Sequence, residues 1–238
     1  MERIPSKTLI VGLQGVGKSS LASKMKRPFF FDLENGTRFL PVDKVRIHDY
    51  QDFVNQLGIF FRGQTKERTY DTVVIDSADW LLTMLNEAVA GSGGQSTAER
   101  VKNANKTVGG ANGGYAKGYE HARNLLYTTL ITLDKLIDAG FSVVLTAHAV
   151  KRELMDADGY AADQVSPKID KKNADMVMEW VDHIFYLKAD NKGKRWLLTS
   201  PTDDIVAKNR LGLTGWKDVD GLDIEAMLQP NFNKSNDN

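Results

Sequence analysis

The chain alternates between short apolar runs and segments with helical spacing. The runs cover residues 8–11, 28–31, 72–75 and 141–146, and they lack the polar alternation of a half-exposed strand. Such runs are typical of parallel strands buried on both faces. Between them, the residues 18–25, 52–61, 78–90 and 119–139 predict helices. The pattern predicts an α/β fold with a mainly parallel central sheet and helices on both faces.

Two polar segments interrupt this pattern. Residues 90–118 are rich in glycine, and residues 151–172 carry both signs of charge, so we predict a mobile loop in each. Later, residues 181–188 and 194–199 predict a C-terminal β-hairpin with its turn at 191–193, and 205–207 a further short strand. We expect a single domain over 1–230, followed by a polar tail over 231–238.

Composition excludes some kinds of chemistry. The 238 residues include no cysteine, which rules out disulfides, thiolate metal sites and cysteine nucleophiles and favours a reducing compartment. The 31 basic and 31 acidic residues balance, so binding to nucleic acid needs local patches or oligomerisation. No apolar run approaches the roughly 18 residues that span a bilayer. We therefore expect a cytoplasmic protein with no membrane partner.

Residues 12–19, GLQGVGKS, satisfy the pattern G-x-x-x-x-G-K-[ST] directly after an apolar strand and before a predicted helix. Glycines at these positions let backbone N–H groups surround phosphate oxygens, and the lysine reaches the β- and γ-phosphates. The sequence predicts binding of ATP with Mg²⁺, and Ser19 as a metal ligand. The predicted nucleotide-binding residues are Gly12, Gln14, Gly15, Val16, Gly17, Lys18, Ser19 and Ser20.

A second group of candidates follows two other buried strands. Asp76 ends the run TVVID, where it would hold Mg²⁺ through water. The alternatives are that Asp76 caps the helix that follows it, or that Asp79 is the metal ligand. Glu34 lies just after the strand ending in Asp32, where it would orient or deprotonate the attacking water; the alternative is a solvated loop carboxylate.

Together these motifs resemble the RecA-like branch of P-loop ATPases, which includes recombinases, hexameric replicative helicases and their phage relatives. The matching residues are Asp32-Leu33-Glu34 and Asp76-Ser77. The resemblance implies a catalytic role for Glu34 and a γ-phosphate sensor at His148, where the family commonly has glutamine. The alternative for His148 is an ordinary polar residue at the end of a strand. The resemblance also implies that Lys208 and Arg210, in the segment VAKNRLG, act in a neighbouring subunit's site; the alternative is that they are surface charges.

The chain is most similar to the short phage-encoded ATP-binding proteins of this branch that are linked to single-strand annealing and recombination. The supporting elements are Glu34-Asn35-Gly36, Lys117-Gly118-Tyr119 and Thr146-Ala147-His148. This resemblance implies a ring or filament of identical subunits, single-stranded DNA as a ligand, and a single-strand DNA-binding protein as a further partner. The loop over 90–118 would supply cations and stacking rings to the DNA, from Arg100, Lys102, Lys106, Tyr115, Lys117 and Tyr119. The alternative is an ordinary mobile loop with solubilising charges.

Two functions of different classes are consistent with these residues. The first is a DNA-stimulated ATPase of phage recombination or replication. The alternative is a nucleotide-dependent switch or assembly factor that hydrolyses ATP slowly and does not thread DNA. A small-molecule kinase ranks third, because the sequence has no clear arginine-rich substrate lid.

Overall fold

The computed structural model describes residues 3–91, 106–111, 117–155 and 161–230. Its strands are β1 (Lys7–Gly12), β2 (Pro28–Asp32), β3 (Asp43–Arg46), β4 (Thr72–Asp76), β5 (Ser142–Met155), β6 (Ala161–Pro167), β7 (His183–Ala189), β8 (Arg195–Leu198) and β9 (Trp216–Asp218). Its helices are α1 (Lys18–Ala22), α2 (Tyr50–Lys66), α3 (Ala78–Ala90), α4 (Lys117–Asp138), α5 (Lys171–Trp180) and α6 (Ile224–Met227).

The central sheet has the strand order β3-β2-β4-β5-β1-β7-β8-β9, and β6 pairs with β5. The pairings among β3, β2, β4, β5, β1 and β7 are all parallel. β7, β8 and β9 continue the sheet as antiparallel strands. The predicted α/β fold with a mostly parallel sheet is confirmed, and so is the C-terminal hairpin.

Alternate residues of the buried strands belong to two separate cores, as expected because successive side chains of a strand point to opposite faces. In β1, Leu9 and Val11 belong to the core that also holds residues of α2, α3 and α4. Ile10 lies between them and belongs to a second core, with residues of α1 and α6. The sheet is therefore covered on both faces, which explains why its strands are continuously apolar.

The prediction of a loop over 151–172 is wrong for its described part. β5 does not end at residue 146 but continues to Met155 and pairs antiparallel with β6 (Ala161–Pro167). α5 then begins at Lys171, with the Asp170 carboxylate accepting the backbone N–H of Asn173. Charged side chains such as Lys151 and Glu153 are exposed on this hairpin, so the segment lacks an apolar run.

The segment over 90–118 is described only in part. α3 ends at Ala90 as predicted, and α4 begins at Lys117, two residues before the predicted start. Residues 92–105 and 112–116 lie outside the described residues, as does the predicted tail over 231–238. In the described ranges, no helix has the length and apolarity required to cross a membrane.

Candidate functional site

The carboxyl ends of neighbouring parallel strands bring the predicted residues to one edge of the sheet. Gly12 lies opposite His148 in the β1–β5 pairing, and Asp32 lies opposite Asp76 in the β2–β4 pairing. Since β4 and β5 are also neighbours, the chain after β1, β2 and β4 converges on this edge. Open parallel sheets bind their ligands at such an edge.

The phosphate loop runs from β1 into α1. Gly15 and Gly17 have φ angles of 75° and 97°, which side-chain-bearing residues rarely adopt. Gly17 is the N-cap residue and α1 begins at Lys18, so free backbone N–H groups of the first turn lie at the loop. This backbone fits the phosphate chain of a nucleotide.

The Lys18 side chain lies inside the phosphate loop. Its ammonium group is buried and donates hydrogen bonds to the carbonyls of Gly12 at 3.2 Å and Leu13 at 3.1 Å. Burial lowers the pKa of Lys18, while the negative charges of Glu34 and Asp76 favour its charged form. The ammonium is thus held within the loop, where a γ-phosphate could replace the carbonyls as its partner.

Ser19 and Asp76 meet as the motif requires. The Ser19 hydroxyl donates to Asp76 Oδ2 at 2.7 Å, and Thr146 Oγ1 on β5 donates to Asp76 Oδ1. α3 has Ser77 as its N-cap residue, so Asp76 does not cap that helix. Burial raises the pKa of Asp76, and both hydroxyl donors oppose this rise. A hydroxyl beside a buried carboxylate fits Mg²⁺, which prefers oxygen ligands.

The loop after β2 holds Glu34 at the same edge. Asp32 is buried and accepts the backbone N–H groups of Gly36 and Thr37, each at 3.1 Å, which turns the chain back. A Cβ atom at Gly36 would lie 3.0 Å from Glu34 Oε1, so glycine leaves room for that carboxylate. Ser77 Oγ donates to Glu34 Oε2 at 3.2 Å.

Glu34 is electrostatically suited to accept a proton. Burial raises its pKa above the ordinary value of 4.5, and the charge of Asp76 raises it further. His148 opposes this rise, because its Nδ1 lies 3.9 Å from Glu34 Oε2. A partly buried carboxylate with a raised pKa is a stronger base than a solvated one.

Asp79 holds His148 at two points. Its Oδ2 is 2.8 Å from His148 Nδ1, and its Oδ1 accepts the backbone N–H of His148 at 3.2 Å. His148 lies within β5 rather than at its end, because the strand continues into the hairpin with β6. The geometry gives Asp79 a role in orienting the predicted sensor, whereas Ser19 contacts Asp76 and not Asp79.

A cavity of about 280 Å³ lies over these groups. Its lining contains most of the predicted nucleotide-binding residues together with Glu34 and His148: Gln14, Gly15, Gly17, Lys18, Ser19, Ser20, Glu34, Gly36, Phe39, Leu40 and His148. A second cavity of about 520 Å³ shares Gln14, Glu34, Gly36 and His148.

Two predicted residues of the phosphate loop, Gly12 and Val16, are outside the lining of the 280 Å³ cavity. Val16 packs on the core that contains residues of α1 and α6. A Cβ atom at Gly12 would lie 2.6 Å from the Leu187 carbonyl oxygen.

Lys208 and Arg210 lie away from this edge. Lys208 pairs with Ile184, which lies opposite Leu9 of β1. The backbone N–H of Arg210 donates to His183 Nδ1 at 3.4 Å, and His183 lies opposite Thr8. At about 3.3 Å per residue, the level of Thr8 is some 13 Å before Gly12 along β1.

The two cations differ in their contacts. The Lys208 ammonium donates to the carbonyls of Met178 at 2.9 Å and Val181 at 2.7 Å, at the C-terminal end of α5. Arg210 forms an ion pair with Asp182 at 3.2 Å, and its side chain is 65% exposed. Lys208 thus stabilises the fold of its own chain, while Arg210 remains accessible to another molecule.

Sequence reasoning missed two partners of the site, Thr146 and Ser77. Both were visible in motifs, but their contacts with Asp76 and Glu34 depend on how β2, β4 and β5 pair. Of the predicted DNA-binding residues, Lys106, Lys117 and Tyr119 are exposed. Arg100, Lys102 and Tyr115 lie outside the described residues.

Comparison with known proteins places this site in a family. The chain is 26% identical over 212 residues to the SPbeta prophage-derived uncharacterized protein YorG of Bacillus subtilis (strain 168), an alignment that covers 84% of this chain and 58% of that protein. The chain thus spans little more than half the length of this relative. The family model described as AAA domain matches residues 4–211, which include the phosphate loop, Glu34, Asp76 and His148. The chain therefore belongs to the AAA domain family of P-loop ATPases.

Proposed function

We propose that this protein is a Mg²⁺-dependent ATPase that acts on single-stranded DNA in phage recombination or replication, as an oligomer in which Arg210 completes a neighbour's site. The observation that supports this proposal most strongly is the 2.7 Å hydrogen bond between Ser19 and Asp76, the two expected metal ligands. Ser19 also lines the same cavity as Glu34 and Lys18. A shared edge for loop, metal ligands and base is what hydrolysis of a nucleotide requires.

The residues divide the reaction among them. Glu34 accepts a proton from the attacking water, whose oxygen forms a bond to the γ-phosphorus. The bond from that phosphorus to the bridging oxygen breaks, and ADP and phosphate leave. Lys18 places positive charge beside the transferred group, and Mg²⁺, when held by Ser19 and Asp76, neutralises phosphate charge. His148, oriented by Asp79, would detect the γ-phosphate.

The start of α4 supports the assignment of single-stranded DNA as a ligand. Tyr119, Arg123 and Tyr127 follow one another at four-residue spacing, which places them on one face of the helix. Tyr119 is 60% exposed and Tyr127 58% exposed, and Arg123 is exposed between them. Alternating rings and a cation suit a single strand, whose bases stack and whose phosphates need positive charge.

Exposed apolar side chains beside the phosphate loop support the oligomer. Phe39 lines the cavity and is 91% exposed, and Leu13, within the loop itself, is 62% exposed. Covering these apolar groups with another protein would remove their surface from water, which is favourable. A neighbour seated here would bring its own residues to the nucleotide. The phage context is supported by the prophage origin in the name of the relative in Bacillus subtilis.

The proposal is tested by phosphate release from ATP, measured with Mg²⁺, with chelator, and with an added oligothymidylate. We expect hydrolysis that requires Mg²⁺ and increases with the oligonucleotide. Replacing Tyr119 and Tyr127 with Ala should remove the stimulation without lowering the basal rate. Mg²⁺-dependent hydrolysis indifferent to DNA would refute the DNA assignment and select the nucleotide-dependent switch. Absence of hydrolysis under all conditions would refute the ATPase.

A further inference from the structure

The hairpin of β7 and β8 borders the phosphate loop on the side away from Glu34. β1 and β7 are parallel, with Gly12 opposite Leu187, so the chain after Leu187 rises beside the loop at the same sheet edge. β8 returns from this turn, and its first residue, Arg195, pairs with Ala189. The sheet therefore places Arg195 at the level of the loop, although it lies far from the motif in sequence.

The Arg195 guanidinium lies against Gly17. A Cβ atom at Gly17 would be 2.9 Å from Arg195 Nη1 and 3.6 Å from its Cδ. The side chain is 28% exposed, and its ionic partner among the described residues is Asp220, with an oxygen 3.6 Å from Nη2. Since Asp220 is itself 63% exposed, this pair is weak, and it leaves most of the guanidinium donors available.

The strand order shows which end of a nucleotide Arg195 would meet. β1 lies between β5 and β7 in the sheet. His148 lies on the β5 side, where it approaches Glu34, and under the proposed function these two residues would flank the γ-phosphate. Arg195 lies on the β7 side of the same loop. A nucleotide with its γ-phosphate near Glu34 would therefore turn its α-phosphate and nucleoside toward Arg195.

We propose that Arg195 is a nucleotide-binding residue of the subunit's own site, whose guanidinium binds the α-phosphate end of ATP and ADP. This inference rests on the proposed ATP-binding function and adds a cation that the sequence motifs do not contain. A guanidinium remains charged at every physiological pH and presents planar donors to phosphate oxygens. Because it contacts the end that ATP and ADP share, it would affect both nucleotides equally.

Calorimetric titration of the full chain with ADP and with a non-hydrolysable ATP analogue, both with Mg²⁺, tests this contact. Arg195→Ala should weaken both nucleotides by about 10- to 100-fold, the effect of losing a charged hydrogen bond. Lys194→Ala is the matched control, because it removes a charge from the same hairpin. The ammonium group of Lys194 is paired with Asp218 at 2.7 Å. The affinities of this variant should stay within about twofold of the wild type. Arg195→Lys, a gentler change, should give an intermediate loss if Arg195→Ala does not fold.

The outcomes separate this inference from the proposed function. If the wild-type chain binds neither nucleotide, both fail. If it binds them and the folded Arg195 variants bind equally well, only the role of Arg195 is overturned. A loss of affinity for the ATP analogue alone would also overturn the role of Arg195, because this result would mean that Arg195 contacts the γ-phosphate. An equal loss for both nucleotides, with Lys194→Ala unaffected, is the expected result.

Discussion

The edge around the phosphate loop and the segment that carries Arg210 show two ways of placing charged residues. At the edge, Lys18 and Asp76 are buried, and hydrogen bonds from α1 and from the neighbouring strand β5 hold the carboxylate. In the other segment, Arg210 is largely exposed and has Asp182 as its ionic partner among the described residues. Parallel pairing fixes the first group within one chain.

This difference suggests that two neighbouring subunits supply different groups to one site. The edge already combines a phosphate loop, the proposed metal ligands and the proposed base, Glu34, whose pKa is raised. Arg210 lies near the level of Thr8, at the opposite end of β1, and cannot reach the edge of its own subunit. If it acts in catalysis, it must act on a neighbour, in the head-to-tail contact that rings and filaments provide. Four predictions test this division.

Lys18→Ala should reduce hydrolysis to background, the largest effect we expect, because it removes the cation that lies inside the loop. Phosphate release and circular dichroism of the same sample measure activity and folding together. Lys24→Ala is the control, since this exposed lysine lies just after α1. A folded Lys18→Ala chain with wild-type turnover would show that this loop does not bind the reacting phosphate.

Arg210→Ala should reduce turnover by roughly 10³- to 10⁵-fold, the contribution of arginines that act in trans in other nucleotide hydrolases. ATP affinity should change little, because Arg210 lies outside the subunit's own cavity. The assay is steady-state phosphate release at a protein concentration that permits assembly. Arg62→Ala, which alters an exposed arginine on α2, should retain activity. Equal rates for Arg210→Ala and Arg62→Ala would show that Arg210 has no catalytic role and that the catalytic groups lie at the edge alone.

Glu34→Gln should reduce turnover by about 10²-fold or more while ATP still binds, because the amide preserves size but cannot accept the proton. Binding by calorimetry and turnover by phosphate release separate these effects. Glu67→Gln serves as the control, since Glu67 is exposed at the end of α2. Unchanged turnover would reduce Glu34 to a structural carboxylate and assign the base elsewhere.

The smallest effect concerns how the Arg210 segment is anchored. Burial lowers the pKa of His183 from 6.5 to about 4, and the charges of Arg210 and Lys208 contribute. Between these values the unfolded chain binds more protons than the folded chain, so stability falls as the pH decreases through this window. Lowering the pH from 7.5 to 5 should therefore reduce the free energy of unfolding by about 2 kcal/mol because of this histidine.

Urea unfolding of the wild type and of His183→Gln at both pH values measures this cost. The variant should lose less stability on acidification by about that amount. His48→Gln, which changes a histidine outside this segment, should follow the wild type. Identical pH dependence in all three chains would show that His183 is not held neutral against these cations.

The elements that the sequence predicted are those with strong local signals. β1, β2 and β4 are apolar on both faces, and the phosphate loop has a fixed backbone requirement at Gly15 and Gly17. β3 was missed because it is a short edge strand with mostly exposed side chains. The hairpin of β5 and β6 was missed because its charged residues hide the strand pattern.

Within the site, the sequence indicated which residues take part but not how they contact one another. Asp79 was considered as a metal ligand, yet it holds His148. Lys208 was assigned to a neighbour's site, yet its ammonium group stabilises the end of α5. Both contacts join residues at least 27 positions apart, and they depend on how the strands pair. Such contacts leave no local pattern in a single sequence.

The central claim, that one subunit supplies the edge and another supplies Arg210, is tested most directly by mixing two inactive variants. Lys18→Ala keeps its Arg210, and Arg210→Ala keeps its phosphate loop. Phosphate release should reappear in the mixture, from interfaces that combine an intact loop with an intact arginine. No recovery in a mixture shown by cross-linking to co-assemble would contradict the claim and leave each subunit to act alone.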